Sequence, residues 1–130
     1  MGGDVMRIEQ DSLKPIYQQI AEGIEDDILN GILEADDQAY SQYQISRQFG
    51  INPATAAKGI NLLVSEGILY KKRGMGMHVA VNAKQMIQKK RKNAFMNGLL
   101  KEILLEARKL GIDRQELIKM IEEFEGVSEA

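Results

Sequence analysis

Asn52-Pro53-Ala54-Thr55-Ala56-Ala57-Lys58-Gly59-Ile60-Asn61-Leu62-Leu63-Val64-Ser65-Glu66-Gly67 is the stretch on which the fold turns. Asn52 suits an N-cap, because its side-chain oxygen can accept from an unpaired N–H of the first turn. Pro53 fits the first helical position, where no N–H is needed, and Gly67 stands just past the far end. Between them Ala56, Ile60, Leu63 and Val64 recur at helical spacing and form an inward stripe. Thr55, Lys58, Asn61 and Ser65 lie around the opposite side, and the only acid is Glu66 at the end. A helix that enters a nucleic-acid groove needs short hydrogen-bonding side chains and no negative charge on one face. The same pattern also fits a plain solvated face, so its neighbours decide.

Upstream, Ser41 is a plausible N-cap for a short helix to about Phe49, with Ile45 and Phe49 turned inward and Gly50 closing it. Helix, three-residue turn, helix is the length pattern of a helix-turn-helix. Farther back, Pro15 can open a helix in which Ile16, Ile20, Ile24 and Ile28 repeat every four residues beside Tyr17. Glu22, Glu25, Asp26 and Asp27 are expected to face outward, and Asn30-Gly31 ends the helix. Glu34-Ala35-Asp36-Asp37 reads as a loop.

Downstream, Ile68-Leu69-Tyr70 and Met77-His78-Val79-Ala80-Val81 are β-prone runs joined through Gly74-Met75-Gly76, a hairpin pattern. Lys71-Lys72-Arg73 closes the first run beside a turn narrow enough to approach a sugar-phosphate backbone. Directly after a helix-turn-helix, such a hairpin is a wing. The expected fold is therefore mainly α with a small β-hairpin, a winged helix-turn-helix over residues 11–81 behind a short arm, residues 1–10.

Residues 82–130 form a helical tail. One long helix is expected from Ala83 to about Leu110, basic at first (Lys84, Lys89, Lys90, Arg91, Lys92) and then apolar. Its apolar side chains are Met96, Leu99, Leu100, Ile103, Leu104, Ala107 and Leu110. After Gly111, Asp113-Arg114-Gln115-Glu116 has capping-box spacing, and Leu117, Ile118, Met120, Ile121 and Phe124 follow on a final short helix. Two helices cannot bury that many apolar side chains on each other, so a second copy of the chain is the expected cover, with a tail folded back over its own head as the alternative.

The net charge of −2 over 130 residues conceals a segregation. Residues 1–40 hold 2 basic and 10 acidic residues, residues 41–92 hold 10 basic and 1 acidic, and residues 93–130 hold 5 and 8. A basic middle third inside an acidic chain is the footprint of a polyanion site. The absence of cysteine suits a reducing cytoplasm, and no apolar run reaches the ~20 residues that span a bilayer. His78 is the only histidine and has neither a cysteine nor a nearby carboxylate in sequence, so catalysis, metal binding and cofactors are not expected.

The order of features from Pro15-Ile16-Tyr17-Gln18-Gln19-Ile20 through Gly31 to Gly74-Met75-Gly76-Met77-His78-Val79 resembles the GntR family of bacterial transcription regulators. The short two-helix tail resembles its YtrA-like subfamily. Asn52-Pro53-Ala54-Thr55, Glu66-Gly67 and Lys72-Arg73-Gly74-Met75-Gly76 carry most of the likeness. The resemblance implies a cytoplasmic homodimer, joined through the tail, that binds a palindromic operator on double-stranded DNA, with Thr55, Lys58, Gly74 and Gly76 among the contacts. Two departures stand out. The family's Leu-Pro-Ser-x-Arg is here Ala39-Tyr40-Ser41-Gln42-Tyr43, so Tyr43 replaces a commonly DNA-contacting arginine. Ala57 likewise stands where many members carry arginine.

The expected DNA surface is thus Thr55, Lys58 and Asn61 in the major groove, Ser41 and Tyr43 on the flanking backbone, and Lys71, Lys72, Arg73, Gly74 and Gly76 on the wing. The expected dimer surface is Met96, Leu99, Leu100, Ile103, Leu104, Leu110, Leu117, Ile121 and Phe124. A competing reading, favoured by Tyr43, is a winged helix that binds another protein. A small-molecule effector is left open, with Met86, Met96 and Met120 as adaptable side chains near the expected interface, although simple core filling is the plainer role for them.

Overall fold

The four-residue repeat of isoleucines makes α1 (Ile16–Leu29), with Pro15 as its last non-helical residue. It is followed by α2 (Gln42–Phe49), α3 (Pro53–Ser65), β1 (Leu69–Lys72), β2 (Gly76–Val79), α4 (Ala83–Asn97), α5 (Leu99–Lys109) and α6 (Arg114–Glu123). This computed structural model describes residues 6–128. The chain divides into two compact units, a head, Met1–Lys89, and a tail, Lys90–Ala130.

In the head, α1, α2, α3 and the hairpin enclose one core. Ile20, Ile24 and Ile28 meet Ile45, Ala56, Ile60 and Leu63, and Ile68, Leu69 and Val79 close it from the hairpin. Each of these isoleucine, leucine and valine side chains contributes about 1.5–3 kcal/mol on burial. Ala83 and Ile87, on the first turns of α4, are buried in the same core, so the head extends past the hairpin to Lys89. Of the expected inward stripe on α3, Val64 is only half-buried.

The hairpin is antiparallel, with Leu69 opposite Val79, Tyr70 opposite His78, Lys71 opposite Met77 and Lys72 opposite Gly76. The acidic loop before α2 adds to it. Val79 N donates to Asp37 O (2.9 Å), Asp36 N to Val79 O (2.8 Å) and Ala39 N to Met77 O (2.8 Å), while Gln38 bridges His78. The expected plain loop is therefore a third rung that covers one edge of the wing.

Two expectations about faces and helix length are corrected. Glu25 and Asp27 do not point to solvent; they are 2% and 1% exposed, because α1 is covered on more than its isoleucine stripe. Asp27 Oδ2 accepts from the Tyr40 hydroxyl at 2.6 Å, whereas its Oδ1 is buried without a hydrogen-bond partner. Burial raises the Asp27 pKa above its ordinary 3.8; the Tyr40 bond opposes this and the Asp26 charge adds to it. The single long helix of the tail is in fact two, because Gly98, at φ −110 and ψ −94, leaves the helical region between α4 and α5.

Residues 1–5 of the expected arm lie outside the described residues, and residues 6–9 are docked. Met6 is buried where a side chain on Gly23 would stand, its Cγ 2.5 Å from that position. Glu9 N donates to Gln19 Oε1 (2.7 Å) and Gln19 Nε2 donates back to Glu9 O (2.9 Å).

In the tail, α5 ends at a left-handed Gly111 (φ +73), and Ile112 N donates to Ala107 O at 2.9 Å. The Asp113 carboxylate accepts from Glu116 N at 2.8 Å and starts α6 as the capping spacing predicts. Ala107 is the only buried residue among the described residues of the tail. Leu100, Leu104 and Leu117 are half-buried, while Met96, Leu99, Ile103, Leu110, Ile121 and Phe124 are exposed, the last two by 65% and 66%.

Candidate nucleic-acid interface

The helix-turn-helix is held by side-chain caps at both starts. Ser41 Oγ accepts from Gln44 N (3.1 Å) while Gln44 Oε1 accepts from Ser41 N (2.8 Å), a complete capping box. Gly50 closes α2 with φ +65, a conformation that a side chain would strain. The turn is tied by Ser46, whose hydroxyl donates to Ile51 O at 2.6 Å. Asn52 Oδ1 accepts from Ala54 N at 2.8 Å and Pro53 occupies the first turn of α3, as the sequence leads one to expect.

The solvent side of α3 carries Lys58, Asn61 and Ser65 exposed and Thr55 half-buried. Ser65 is turned back on its own helix, its hydroxyl donating to Leu62 O at 2.6 Å. Tyr43 stands in the first turn of α2 and is 59% exposed. Ser41 is exposed too, and its oxygen already serves the cap, so what it can offer a partner is its hydroxyl proton.

The wing turn is built by Gly74 (φ +74) and Gly76 (φ +80), with Met75 N donating to Lys72 O at 2.8 Å. Lys71, Lys72 and Arg73 are exposed and, among the described residues, have no carboxylate partner. Three unpaired cations at the end of a narrow hairpin are chemically suited to a polyanion. The carboxylates of the two acids in the covering rung are engaged by other groups. Asp36 accepts from the Tyr70 hydroxyl, which raises the Tyr70 pKa, and Asp37 Oδ2 accepts from Glu34 N at 2.7 Å.

His78 is buried inside this small sheet. Its Nδ1 lies 3.3 Å from Gly76 O and its ring centroid 6.0 Å from that of Tyr70, so its contacts are those of a packing residue. Among the described residues no group of three or more potential ligands could hold a metal ion, and no helix is long and apolar enough to cross a membrane.

Two features escape a reading of the sequence. The Lys58 ammonium lies 4.1 Å from the centroid of the Tyr17 ring on α1. Beside it, a side chain on Gly59 would come within 2.7 Å of Tyr17 O and 2.9 Å of Ile20 Cγ2, so only glycine lets α3 cross α1 this closely. A glycine in mid-helix costs about 1 kcal/mol relative to alanine, which is the one signal that could have marked this crossing. Nothing in the spacing of Tyr17 and Lys58 could have paired them.

The sequence model of "Bacterial regulatory proteins, gntR family" matches residues 16–79, from the start of α1 to the end of β2. A GntR family transcriptional regulator from Listeria monocytogenes shares 30% identity and a TM-score of 0.70, over 88% of this chain and 99% of that one. The HTH-type transcriptional repressor YtrA of Bacillus subtilis is 29% identical over 119 residues, 92% of this chain and 91% of that protein, which agrees with a YtrA-like subfamily member. The DNA-binding domain of AraR, solved in complex with operator ORE1, is 32% identical with a TM-score of 0.50, over 57% of this chain and 90% of that one. With residues 16–79 matched by the family model and 88% of its length matched at 30% identity by a GntR regulator, the chain belongs to the GntR family of bacterial regulatory proteins and is a DNA-binding transcriptional regulator.

Proposed function

We propose that the protein is a cytoplasmic repressor that binds a two-fold symmetric operator as a homodimer. The observation that carries this reading is the surface formed by the polar side of α3 and the wing, where Lys58, Lys71, Lys72 and Arg73 have no carboxylate partner among the described residues. In this reading α3 enters the major groove, with Thr55 and Asn61 against base edges and Lys58 beside them. Ser41 and Tyr43 meet the flanking backbone. Lys71, Lys72 and Arg73 hold phosphates, and Gly74 and Gly76 let the wing backbone reach the minor groove.

Dimerisation follows from the tail, whose exposed Met96, Leu99, Ile103, Leu110, Ile121 and Phe124 need a cover. Leu100, Leu104 and Leu117 complete that surface. A two-fold axis through the tail requires two half-sites about one helical turn apart, or a multiple of it. The repressor sense is supported by the names of YtrA and NagR, both repressors of Bacillus subtilis.

The test separates positioning from readout. Alanine at Lys71, Lys72 and Arg73 together is expected to weaken all duplexes alike and to reduce the salt slope by about 0.9 for each phosphate no longer neutralised. Alanine at Thr55 and Asn61 is expected to weaken the preferred sequence alone, by about 1–3 kcal/mol for each good base contact. If the wing variant loses only the preferred sequence, or the α3 variant loses none, the assignment is wrong.

A further inference from the structure

We infer that Tyr17 is a positioning residue for DNA binding, its ring holding the Lys58 ammonium at the crossing of α1 and α3 for a phosphate at the groove edge. The inference rests on the proposed entry of α3 into the major groove and refines the role of one residue there.

Three observations converge at this crossing. The ammonium sits 4.1 Å from the ring centroid, well within the ~6 Å over which the quadrupole of an aromatic face attracts a cation. Among the described residues Lys58 has no other partner, so no carboxylate neutralises it. The bare Cα of Gly59 lets α3 come down on Tyr17 O and Ile20, which sets the adjacent Lys58 beside the ring.

The chemistry then favours a phosphate over a base. A lysine has a flexible four-carbon stem, and ordering it on binding opposes association. Resting on the ring orders it beforehand. The ring covers one side of the ammonium, and N–H donors remain on the other for an anion. A base reader must reach into the groove with directed hydrogen bonds, whereas a tethered ammonium acts as a point charge, which is what a phosphate takes. The contact is therefore one of affinity and salt dependence, shared by all sequences.

The competing explanation is that the pair merely pins α1 to α3, and a double-mutant cycle on the full-length protein separates the two. The probe is a labelled random-sequence duplex, titrated over a range of salt concentrations. Lys58→Gln is expected to weaken binding and reduce the salt slope by about 0.9. Tyr17→Leu is expected to weaken binding by about 2- to 5-fold, and Tyr17→Phe, which keeps the ring, to bind like the parent. In the Lys58→Gln background, Tyr17→Leu is expected to change nothing further. As a check without DNA, the Lys58 ε-methylene protons should resonate upfield in the parent and in Tyr17→Phe, and lose that shift in Tyr17→Leu. A Tyr17→Leu effect that is absent, or equally large without Lys58, overturns the inference while leaving α3 as the DNA helix. An ineffective Lys58→Gln overturns the inference together with the placement of Lys58 on DNA, and a missing upfield shift in the parent overturns the ring contact itself.

Discussion

The head and the tail use their apolar side chains in opposite ways. In the head, Ile20, Ile24, Ile45, Leu63, Ile68, Leu69 and Ile87 are all but fully buried, the solvent side of α3 carries Lys58, Asn61 and Ser65, and the wing exposes Lys71, Lys72 and Arg73 beside Met75. In the tail, Ala107 is the one buried residue among those described, while Ile121 and Phe124 remain two-thirds exposed. A closed core makes a unit that stands by itself, and an open apolar face makes a unit that waits for a partner. On the proposed function, the difference divides the labour of a regulator, with one part shaped to read and the other to pair.

The comparison can be broken most forcefully in the tail. Ile121→Ala combined with Phe124→Ala removes four large side chains from the proposed two-fold interface. The expected loss is more than about 5 kcal/mol of association free energy, seen as a shift from dimer to monomer in sedimentation. The head of that variant should keep its own cooperative unfolding. A dimer that persists unchanged would mean that this face is covered by something else.

In the head, Leu63→Ala opens a cavity in a closed core and should cost about 2–5 kcal/mol in urea unfolding, with no effect on how protomers associate. Gly59→Ala places a methyl group against Tyr17 O and Ile20 and should cost about 1–3 kcal/mol through overpacking. An alanine tolerated there without loss would show that the α1–α3 crossing can slacken.

The smallest expected effect concerns Asp27. Its pKa is raised in the folded state by burial, against the opposing bond from Tyr40 and with the Asp26 charge adding to burial. The folded head therefore holds the proton more tightly than the unfolded chain. The stability this contributes is complete below the ordinary value of 3.8 and is lost as pH rises through the folded-state value. Asp27→Asn should remove that part of the pH dependence, read as a flatter profile of melting temperature against pH. An unchanged profile would assign it to other groups.

Much of the fold is legible in the sequence where a single residue type has a single physical use. Ser41, Asn52 and Asp113 cap the helices that their spacing predicts, Gly50 and Gly111 end theirs, and Gly74 and Gly76 build the wing turn. What is not legible depends on partners distant in the chain. Periodicity runs on from Met96 through Leu99 and Ile103, so the break at Gly98 leaves little trace. Glu25 and Asp27 look solvated until Tyr40 supplies a donor to one of them from the next segment. The rung over the wing edge is made by backbone groups of Asp36, Asp37 and Ala39, which no side-chain pattern announces. The contact of Lys58 with Tyr17 joins α3 to α1 and exists only once the fold has formed.

The most direct test of a reading head joined to a pairing tail is selection of bound duplexes from a random-sequence library, with the Ile121→Ala, Phe124→Ala variant run in parallel. The parent is expected to enrich a two-fold symmetric site, and the variant at most one half of it. Enrichment of an asymmetric site by the parent, or of the same symmetric site by a monomeric variant, would contradict that division of labour.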